Sequence, residues 1–238
     1  MLLRDGPERL EEKIKAQLNG WRSATVNIAI IGKSGSGKSS FINAFLGLDE
    51  DLDEGAAETG CTETTMEPTH YLVPNKPNLK LWDVPGIGGV KHQDRDNYLE
   101  KIKLETYDGF ILMTSKRLYE EDCWLAKTIH LASRSLFLVR SKVDEDVSAY
   151  KRKFKNRKSY AECLKLVKEA ISKELTENLA QEGFVRDQKF YLIDNLEPEN
   201  TDFDFQMLLE DILASLNDIQ REVVAFNIKT CKQSKHQA

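Results

Sequence analysis

A glycine-rich run with the residue types needed to hold phosphate follows an apolar segment near the start of the chain. Residues 32–39 read Gly-Lys-Ser-Gly-Ser-Gly-Lys-Ser, which is the GxxxxGK[ST] spacing. Glycines let successive backbone N–H groups turn toward phosphate oxygens, and the N-terminus of a following helix adds partial positive charge. We predict that Lys38 neutralises the β- and γ-phosphates and that Ser39 binds Mg²⁺. The predicted phosphate-loop contacts are Gly32, Lys33, Ser34, Gly35, Ser36, Gly37, Lys38, Ser39 and Ser40.

A second motif, Asp83-Val84-Pro85-Gly86, comes at the end of a strand-like segment. After a phosphate-binding loop, this DxxG spacing predicts that Asp83 holds Mg²⁺ through water and that the Gly86 N–H senses the γ-phosphate. Position 87 is Ile, whose side chain cannot orient a water molecule, and the phosphate loop contains no Arg. We therefore expect the isolated chain to hydrolyse nucleotide slowly, because phosphoryl transfer depends on positioning and charge stabilisation.

A third motif predicts which base is bound. Ser141-Lys142-Val143-Asp144 matches the [NT]KxD pattern, with Ser in the first place. The Asp144 carboxylate can accept hydrogen bonds from both N1–H and the exocyclic amine of guanine, and adenine lacks that pair of donors. Lys142 can cover the face of the base, whereas Ser141 shortens one supporting contact and is expected to weaken affinity modestly. Asp194 and Asn195 fall where a further guanine-contacting loop belongs. The alternative, an ATP-using enzyme such as a kinase, is disfavoured by Asp144.

The elements that must position these motifs alternate between two periodicities. Short β-branched or apolar runs indicate strands, and segments with apolar residues three and four apart indicate helices. Alternation of the two predicts an α/β fold with a mostly parallel, six-stranded sheet and helices on both faces. Strands are predicted at 26–31, 71–73, 79–83, 110–113, 136–139 and 190–193. Helices are predicted at 7–19, from the phosphate loop to Gly47, and at 94–104, 119–133, 159–182 and 205–226.

Composition excludes several other classes of protein. The chain has 34 Lys and Arg against 39 Asp and Glu, a net charge of −5, so we expect no nucleic-acid partner, since such binding depends on clustered cations. The four cysteines are far apart, which favours reduced thiols and no metal pair. Arg4 and Asp5 follow the first three residues, and no apolar run approaches the ~20 residues of a membrane span. We expect no signal peptide and a cytoplasmic protein.

Several segments together resemble one family of GTP-binding proteins. Residues 55–60 read Gly-Ala-Ala-Glu-Thr-Gly, residues 63–67 read Glu-Thr-Thr-Met-Glu, and residues 81–88 read Leu-Trp-Asp-Val-Pro-Gly-Ile-Gly. This wording is similar to that of the interferon-inducible, immunity-related GTPases, in the subclass with Gly-Lys-Ser at the phosphate loop. The resemblance implies a Ras-like P-loop G domain, which we place at 25–215, with an N-terminal helical extension at 1–24. The end of the last helix and a frayed basic tail occupy 216–238. Because family members continue into a second helical region, we expect most of that region to be lacking and 223–228 to be its stub.

The resemblance also implies an activity and partners. GTP would be hydrolysed to GDP and phosphate, slowly alone and faster on weak, nucleotide-dependent association with a second copy or with related GTPases. The setting implied is cell-autonomous immune defence at intracellular membranes. The alternative is a GTP-loaded regulatory switch that barely hydrolyses and modulates full-length relatives. Besides Lys38, Ser39 and Gly86, the predicted catalytic residues are Thr59 or Thr65, either of which could supply a hydroxyl to Mg²⁺, and Glu63, which would contact water or the partner's nucleotide.

Two charged runs flank the predicted site. Residues 49–54 are mostly acidic and precede the first loop, and residues 151–158 hold six cations and follow the guanine motif. The acidic run is read as a solvated loop. The basic run could touch an anionic membrane peripherally or meet the acidic run of a neighbour, although a solvated face remains the simplest interpretation.

Overall fold

A six-stranded sheet organises the chain. The computed structural model describes residues 25–49, 53–60, 67–86, 94–154, 157–181, 183 and 189–216. The strand order is β2-β3-β1-β4-β5-β6. Only β2 runs antiparallel, against β3, and every other pairing is parallel. The strands are β1 (Val26–Gly32), β2 (Thr69–Val73), β3 (Lys76–Asp83), β4 (Gly109–Thr114), β5 (Ser135–Arg140) and β6 (Phe190–Leu192).

Helices connect the parallel strands and cover both faces of the sheet. They are α1 (Lys38–Leu46), α2 (Arg95–Ile102), α3 (Glu120–Leu131), α4 (Val143–Lys153), α5 (Tyr160–Gln181) and α6 (205–216), with a 3₁₀ turn at Leu104–Thr106. None of the helices within these described ranges is long and apolar enough to cross a lipid bilayer.

Strand alternation divides the core into two apolar layers. In β1, Ile28 and Ile30 point to the layer that holds Ala57 and the inner faces of α1 and α6. Ala29 and Ile31 point to the opposite layer, which α2, α3, α4 and α5 cover. Successive side chains of a strand face opposite ways, so a central strand with apolar residues on both faces requires both layers. The residues 26–31 therefore read as one continuous apolar run because both faces are buried.

The predicted mostly parallel sheet with helices on both faces is confirmed. The predicted helices at 94–104, 119–133 and 159–182 correspond to α2 with its 3₁₀ turn, α3 and α5. Helix α4 is an element that the sequence pattern does not indicate, because only Val143 and Val147 are buried among its eleven residues. The predicted helix at 7–19 and the stretch of the last helix beyond 216 lie outside the described residues, so the proposed boundaries at 24 and 216 stay predictions.

Parallel strands bring their carboxyl ends to one edge of the sheet. Gly32 pairs with Met113, and Asp83 pairs with Ile30 two residues before the end of β1. Arg140 and Leu192 end β5 and β6 at the same edge. Loops that leave this edge carry all three sequence motifs, as expected for ligand sites in open α/β sheets.

Candidate nucleotide-binding site

The phosphate loop leaves β1 with no room for side chains at its first position. A Cβ on Gly32 would lie 2.1 Å from the carbonyl oxygen of Met113 in β4, and φ of Gly32 is +144°. Only glycine fits where two backbones approach so closely. Gly37, with left-handed backbone angles, then precedes the first residue of α1. The loop therefore ends on a helix N-terminus, whose partial positive charge suits an anion. Lys38, in the first turn, is 8% exposed.

Ser39 and Asp83 meet directly beneath this loop. The Ser39 hydroxyl donates to Asp83 Oδ2 at 2.8 Å, and Asp83 is only 3% exposed. One residue comes from the first turn of α1 and the other from the end of β3. A hydroxyl and a carboxylate oxygen are the donors that Mg²⁺ accepts, usually together with water and substrate phosphate. These two residues therefore fit the metal that the motifs imply.

The segment after Asp83 packs against the phosphate loop backbone. A Cβ on Gly86 would lie 2.9 Å from the backbone nitrogen of Ser34. The Tyr98 hydroxyl of α2 donates to the carbonyl oxygen of Pro85 at 3.1 Å, which fixes the residue before Gly86. The DxxG segment is thus held between α2 and the phosphate loop.

The two loops that follow β5 and β6 also bind the phosphate loop. Ser141, which is fully buried, donates its hydroxyl hydrogen to the carbonyl oxygen of Ser36 at 2.7 Å. The side-chain amide of Asn195 donates to the carbonyl oxygen of Gly37 at 3.0 Å. The short side chain of Ser141 thus contacts the phosphate loop directly, and Asn195 uses a side-chain N–H for its own hydrogen bond to that loop. These hydrogen bonds fix the distance between the base-side loops and the phosphate loop.

Acceptors gather where the guanine base is predicted. Asp144 lies in the first turn of α4, after Lys142, whose φ of 57° begins the helix. Asp194 is 5% exposed, and its carboxylate accepts the Leu196 N–H at 2.9 Å. The pKa of Asp194 lies above its usual value. Burial is the main cause and the charge of Asp144 adds to it, and together they outweigh the hydrogen bonds that lower the pKa. Two carboxylates close enough to repel each other suit a ligand that presents N–H donors.

The loop before β2 is fastened to α1 by a residue that lies outside the three sequence motifs. Asn43 donates its side-chain amide to the carbonyl oxygen of Ala57 at 2.9 Å and accepts the Ala57 N–H at 2.6 Å. The sequence feature that could have indicated Asn43 is its position one helical turn after Ser39, which places both residues on one face of α1. Thr59, two residues beyond Ala57, is partly buried. Glu63 and Thr65 lie outside the described residues.

The Lys33 side chain lies against helix α3. Its ammonium lies 3.4 Å from the centre of the Tyr119 ring and 3.2 Å from a carboxylate oxygen of Glu121. Asp122 is buried beside this pair, and its carboxylate accepts the Tyr119 N–H at 3.0 Å. The Lys33 side chain is therefore engaged by α3 and the residue that precedes it. Burial raises the pKa of Asp122 to about 6, although the Tyr119 N–H and the charge of Lys33 lower it.

The fold and the site define a P-loop domain of the nucleotide-binding α/β class. The family model of the interferon-inducible GTPases matches residues 7–235, and the chain belongs to this family. T-cell-specific guanine nucleotide triphosphate-binding protein 2 of Mus musculus is 35% identical over 222 residues, which are 93% of this chain and 51% of that protein. Interferon-inducible GTPase 1 of Mus musculus is 44% identical over 126 residues, 53% of this chain and 30% of that protein.

Among solved structures, the bacterial selenocysteine-specific elongation factor EF-Sec superimposes with a TM-score of 0.51 and 15% identity over 82% of this chain and 29% of that one. At that identity the likeness supports the fold alone. The chain spans about half the length of the first of the two mouse relatives.

Proposed function

We propose that the chain binds GTP with Mg²⁺ and hydrolyses it to GDP and phosphate. The observation that carries this proposal is the contact of Ser39 with Asp83 under the phosphate loop, at the same sheet edge as the Ser141–Asp144 motif. Phosphate, metal and base would each meet a motif of fitting chemistry within one rigid edge. Membership of the interferon-inducible GTPase family supports the same activity.

The phosphate loop would bind the β- and γ-phosphates through its backbone N–H groups and through Lys38. Ser39 and Asp83 would hold Mg²⁺, together with a hydroxyl from Thr59 or Thr65. When bound, the metal neutralises part of the negative charge that gathers on the phosphate oxygens. Asp83 is held in place by β3, because its backbone pairs with Ile30 of β1.

Hydrolysis requires a water molecule to attack the γ-phosphorus while the bond to the oxygen that bridges the β- and γ-phosphates breaks. The Gly86 N–H would hold the γ-phosphate, and the close packing of Gly86 against the backbone of Ser34 supports this role. Position 87 is Ile and the loop carries no Arg, so neither supplies a water-orienting or charge-stabilising side chain. The isolated chain should therefore turn over slowly, and an added group can be worth ~10³–10⁵ in rate. Association with a second molecule, with Glu63 as the contacting residue, is the proposed source of that group.

Guanine selection would depend on Asp144, with Lys142 over the base and Asp194 and Asn195 beside it. The name of the mouse T-cell-specific relative refers to binding of guanine nucleotide triphosphate, which supports this choice of base. The Ser141 contact with Ser36 would hold the base loop at a fixed distance from the phosphates.

Titration calorimetry with GTP, GDP and ATP tests the proposed ligand. We expect GTP and GDP to bind and ATP to compete at least a hundredfold more weakly. Asp144→Asn should abolish this discrimination. Glu145→Gln, a change to an exposed carboxylate one residue further along α4, should leave it intact and serves as the matched control. Equal competition by ATP against the wild-type chain would overturn the base assignment.

Phosphate release measured against protein concentration tests hydrolysis and association together. We expect the rate per molecule to rise with concentration, and Glu63→Ala to flatten that rise. A rate that stays flat and near zero in the wild-type chain favours the GTP-loaded regulatory switch instead. A Glu63→Ala protein whose rate still rises steeply would remove Glu63 from the proposal.

Action in immune defence at an intracellular membrane is the remaining part of the proposal. The last turn of α4 carries Lys151, Arg152 and Lys153, and Arg152 and Lys153 are exposed. Each cation near an anionic bilayer contributes about 1 kcal/mol, which favours peripheral contact. Sedimentation with vesicles containing phosphatidylserine should fall when all three are changed to Glu. If the wild-type chain sediments equally with neutral vesicles, its contact with the membrane does not depend on these cations.

A further inference from the structure

The side chain of Asn43 and the backbone of Ala57 form a closed pair of hydrogen bonds. Asn43 is 4% exposed and Ala57 is 1% exposed, and the two bonds measure 2.9 and 2.6 Å. The carboxamide thus satisfies both polar groups of one buried loop residue. Ala57 belongs to the same buried apolar cluster as Phe41 and Ile42 of α1. Ala57 is therefore fixed to the helix by both polar and apolar contacts.

Asn43 and Ala57 each lie close along the chain to a proposed phosphate- or metal-binding hydroxyl. Residues four apart on a helix lie on one face, about 5–6 Å from each other, so Asn43 shares its face of α1 with Ser39. Thr59 follows Ala57 by two residues, which span at most about 7 Å when extended. The pair of hydrogen bonds therefore sets how far residues 58–60 can lie from the contact of Ser39 with Asp83.

Only a carboxamide can form this pair of hydrogen bonds. One donor and one acceptor must face the N–H and C=O of the same residue. Asp offers acceptors alone and would repel the Ala57 carbonyl oxygen, and Ala offers neither group. Without a partner, the polar groups of Ala57 would have to leave the core to reach water, because unpaired buried groups are unfavourable.

We propose that Asn43 is a positioning residue that fixes the start of the first loop at Ala57, so that residues 58–60 approach the γ-phosphate side of the site from a set point. The proposal rests on the GTP-binding function proposed above. It predicts that loss of the Asn43 side chain weakens triphosphate binding more than diphosphate binding. Triphosphate binding needs the loop in place, whereas diphosphate binding depends mainly on the phosphate loop and the base loops.

Two measurements on the full chain test this. Hydrogen exchange should show a protected Ala57 amide in the wild type and loss of that protection in Asn43→Ala and Asn43→Asp. With Mg²⁺ present, the affinity for a non-hydrolysable GTP analogue should fall about tenfold relative to GDP in both variants, the loss expected from about two hydrogen bonds. Asn27→Ala is the matched control, since Asn27 accepts the Trp82 indole N–H at the opposite end of β1. It should change neither the exchange at Ala57 nor the affinity ratio.

Each outcome decides the matter. A wild-type affinity ratio in Asn43→Ala, or an equal change in Asn27→Ala, would overturn the positioning role. Full retention by Asn43→Asp would also overturn it, because the donated hydrogen bond would then be dispensable. If Asn43→Ala fails to fold, Asn43→Asp, which keeps the size of the side chain, supplies both readouts. A wild-type chain that binds no guanine nucleotide would refute the proposed function, whereas the exchange measurement would still report the contact itself.

Discussion

Asp122→Asn should make the protein more stable at neutral pH than the wild type, by an amount that the buried carboxyl sets. Asp122 is 1% exposed, and one of its oxygens has no hydrogen-bond partner among the residues that the structure describes. Burial raises its pKa from 3.8 to about 6. The folded chain then holds this proton more tightly than the unfolded chain, so ionisation opposes folding. At 1.36 kcal/mol per pH unit, the full cost is about 3 kcal/mol.

The sign and the range of pH follow from the two pKa values. Well below pH 3.8 the carboxyl is protonated in both states and costs nothing, and at pH 4.5 the cost has reached about 1 kcal/mol. The cost grows as pH rises toward 6 and is constant above that, so about 2 of the 3 kcal/mol develops between about pH 4.5 and pH 7.5. The carboxamide of the Asp122→Asn variant would be neutral throughout and would keep an oxygen for the Tyr119 N–H. The difference in unfolding free energy between variant and wild type should therefore grow by about 2 kcal/mol over this range.

Urea unfolding at constant ionic strength, followed by tryptophan fluorescence, measures this difference. Glu121→Gln is the control of opposite sign. Burial alone would raise the pKa of Glu121, but its own backbone N–H and the charge of Lys33 outweigh burial and lower it. Ionised Glu121 therefore stabilises the fold above pH 4.5, and this stability is lost only as pH falls below 4.5. Glu121→Gln should be less stable than wild type by a nearly constant amount from about pH 5 to 7.5. Stability curves of Asp122→Asn and wild type that run parallel from pH 4.5 to 7.5 would show that ionisation of Asp122 does not oppose folding.

Three further substitutions probe the contacts around the site. Gly86→Ala would place a Cβ 2.9 Å from a backbone nitrogen of the phosphate loop, and overpacking of about 1–3 kcal/mol should lower GDP affinity about tenfold or more; unchanged affinity in a fluorescence titration would contradict the packing. Ser141→Ala leaves the buried Ser36 carbonyl without its 2.7 Å donor, so GDP affinity and unfolding free energy should both fall, the latter by about 1–3 kcal/mol; a variant indistinguishable from wild type in both would refute the link. Asp146→Asn removes the ion-pair partner of Arg140, which is 5% exposed. The variant should lose about 2 kcal/mol of unfolding free energy, which lowers the thermal midpoint by several degrees. An unchanged midpoint in calorimetry would show that solvent already screens the pair.

Much of the fold could be predicted because its signals are local. Apolar runs of period two and stripes of period 3.6 identify the strands and most helices, and glycines at Gly32 and Gly37 indicate where the backbone must turn. Helix α4 escapes prediction because its buried positions are too few to produce a stripe. Its formation depends on packing against α5, where Val143 and Val147 enter a shared apolar layer.

The candidate site divides in the same way. Spacing alone indicates the phosphate loop, the DxxG segment and the guanine motif, since each is a short run of neighbouring residues of defined types. No such run accompanies the contact of Asn43 with Ala57. A single carboxamide in a helix can have many roles, so its residue type alone does not indicate this one. Its partner is a backbone group, which no residue type marks.

Residue types can be identified without a structure: a loop able to surround phosphate, a hydroxyl and a carboxylate suited to Mg²⁺, and an aspartate suited to guanine. Which of these residues come into contact depends on the fold. Ser141 reaches Ser36 across 105 residues, and Asn195 reaches Gly37 across 158. Parallel strands deliver their loops to one edge whatever the distance along the chain. Contacts of that kind depend on strand order and register, which short-range patterns do not encode.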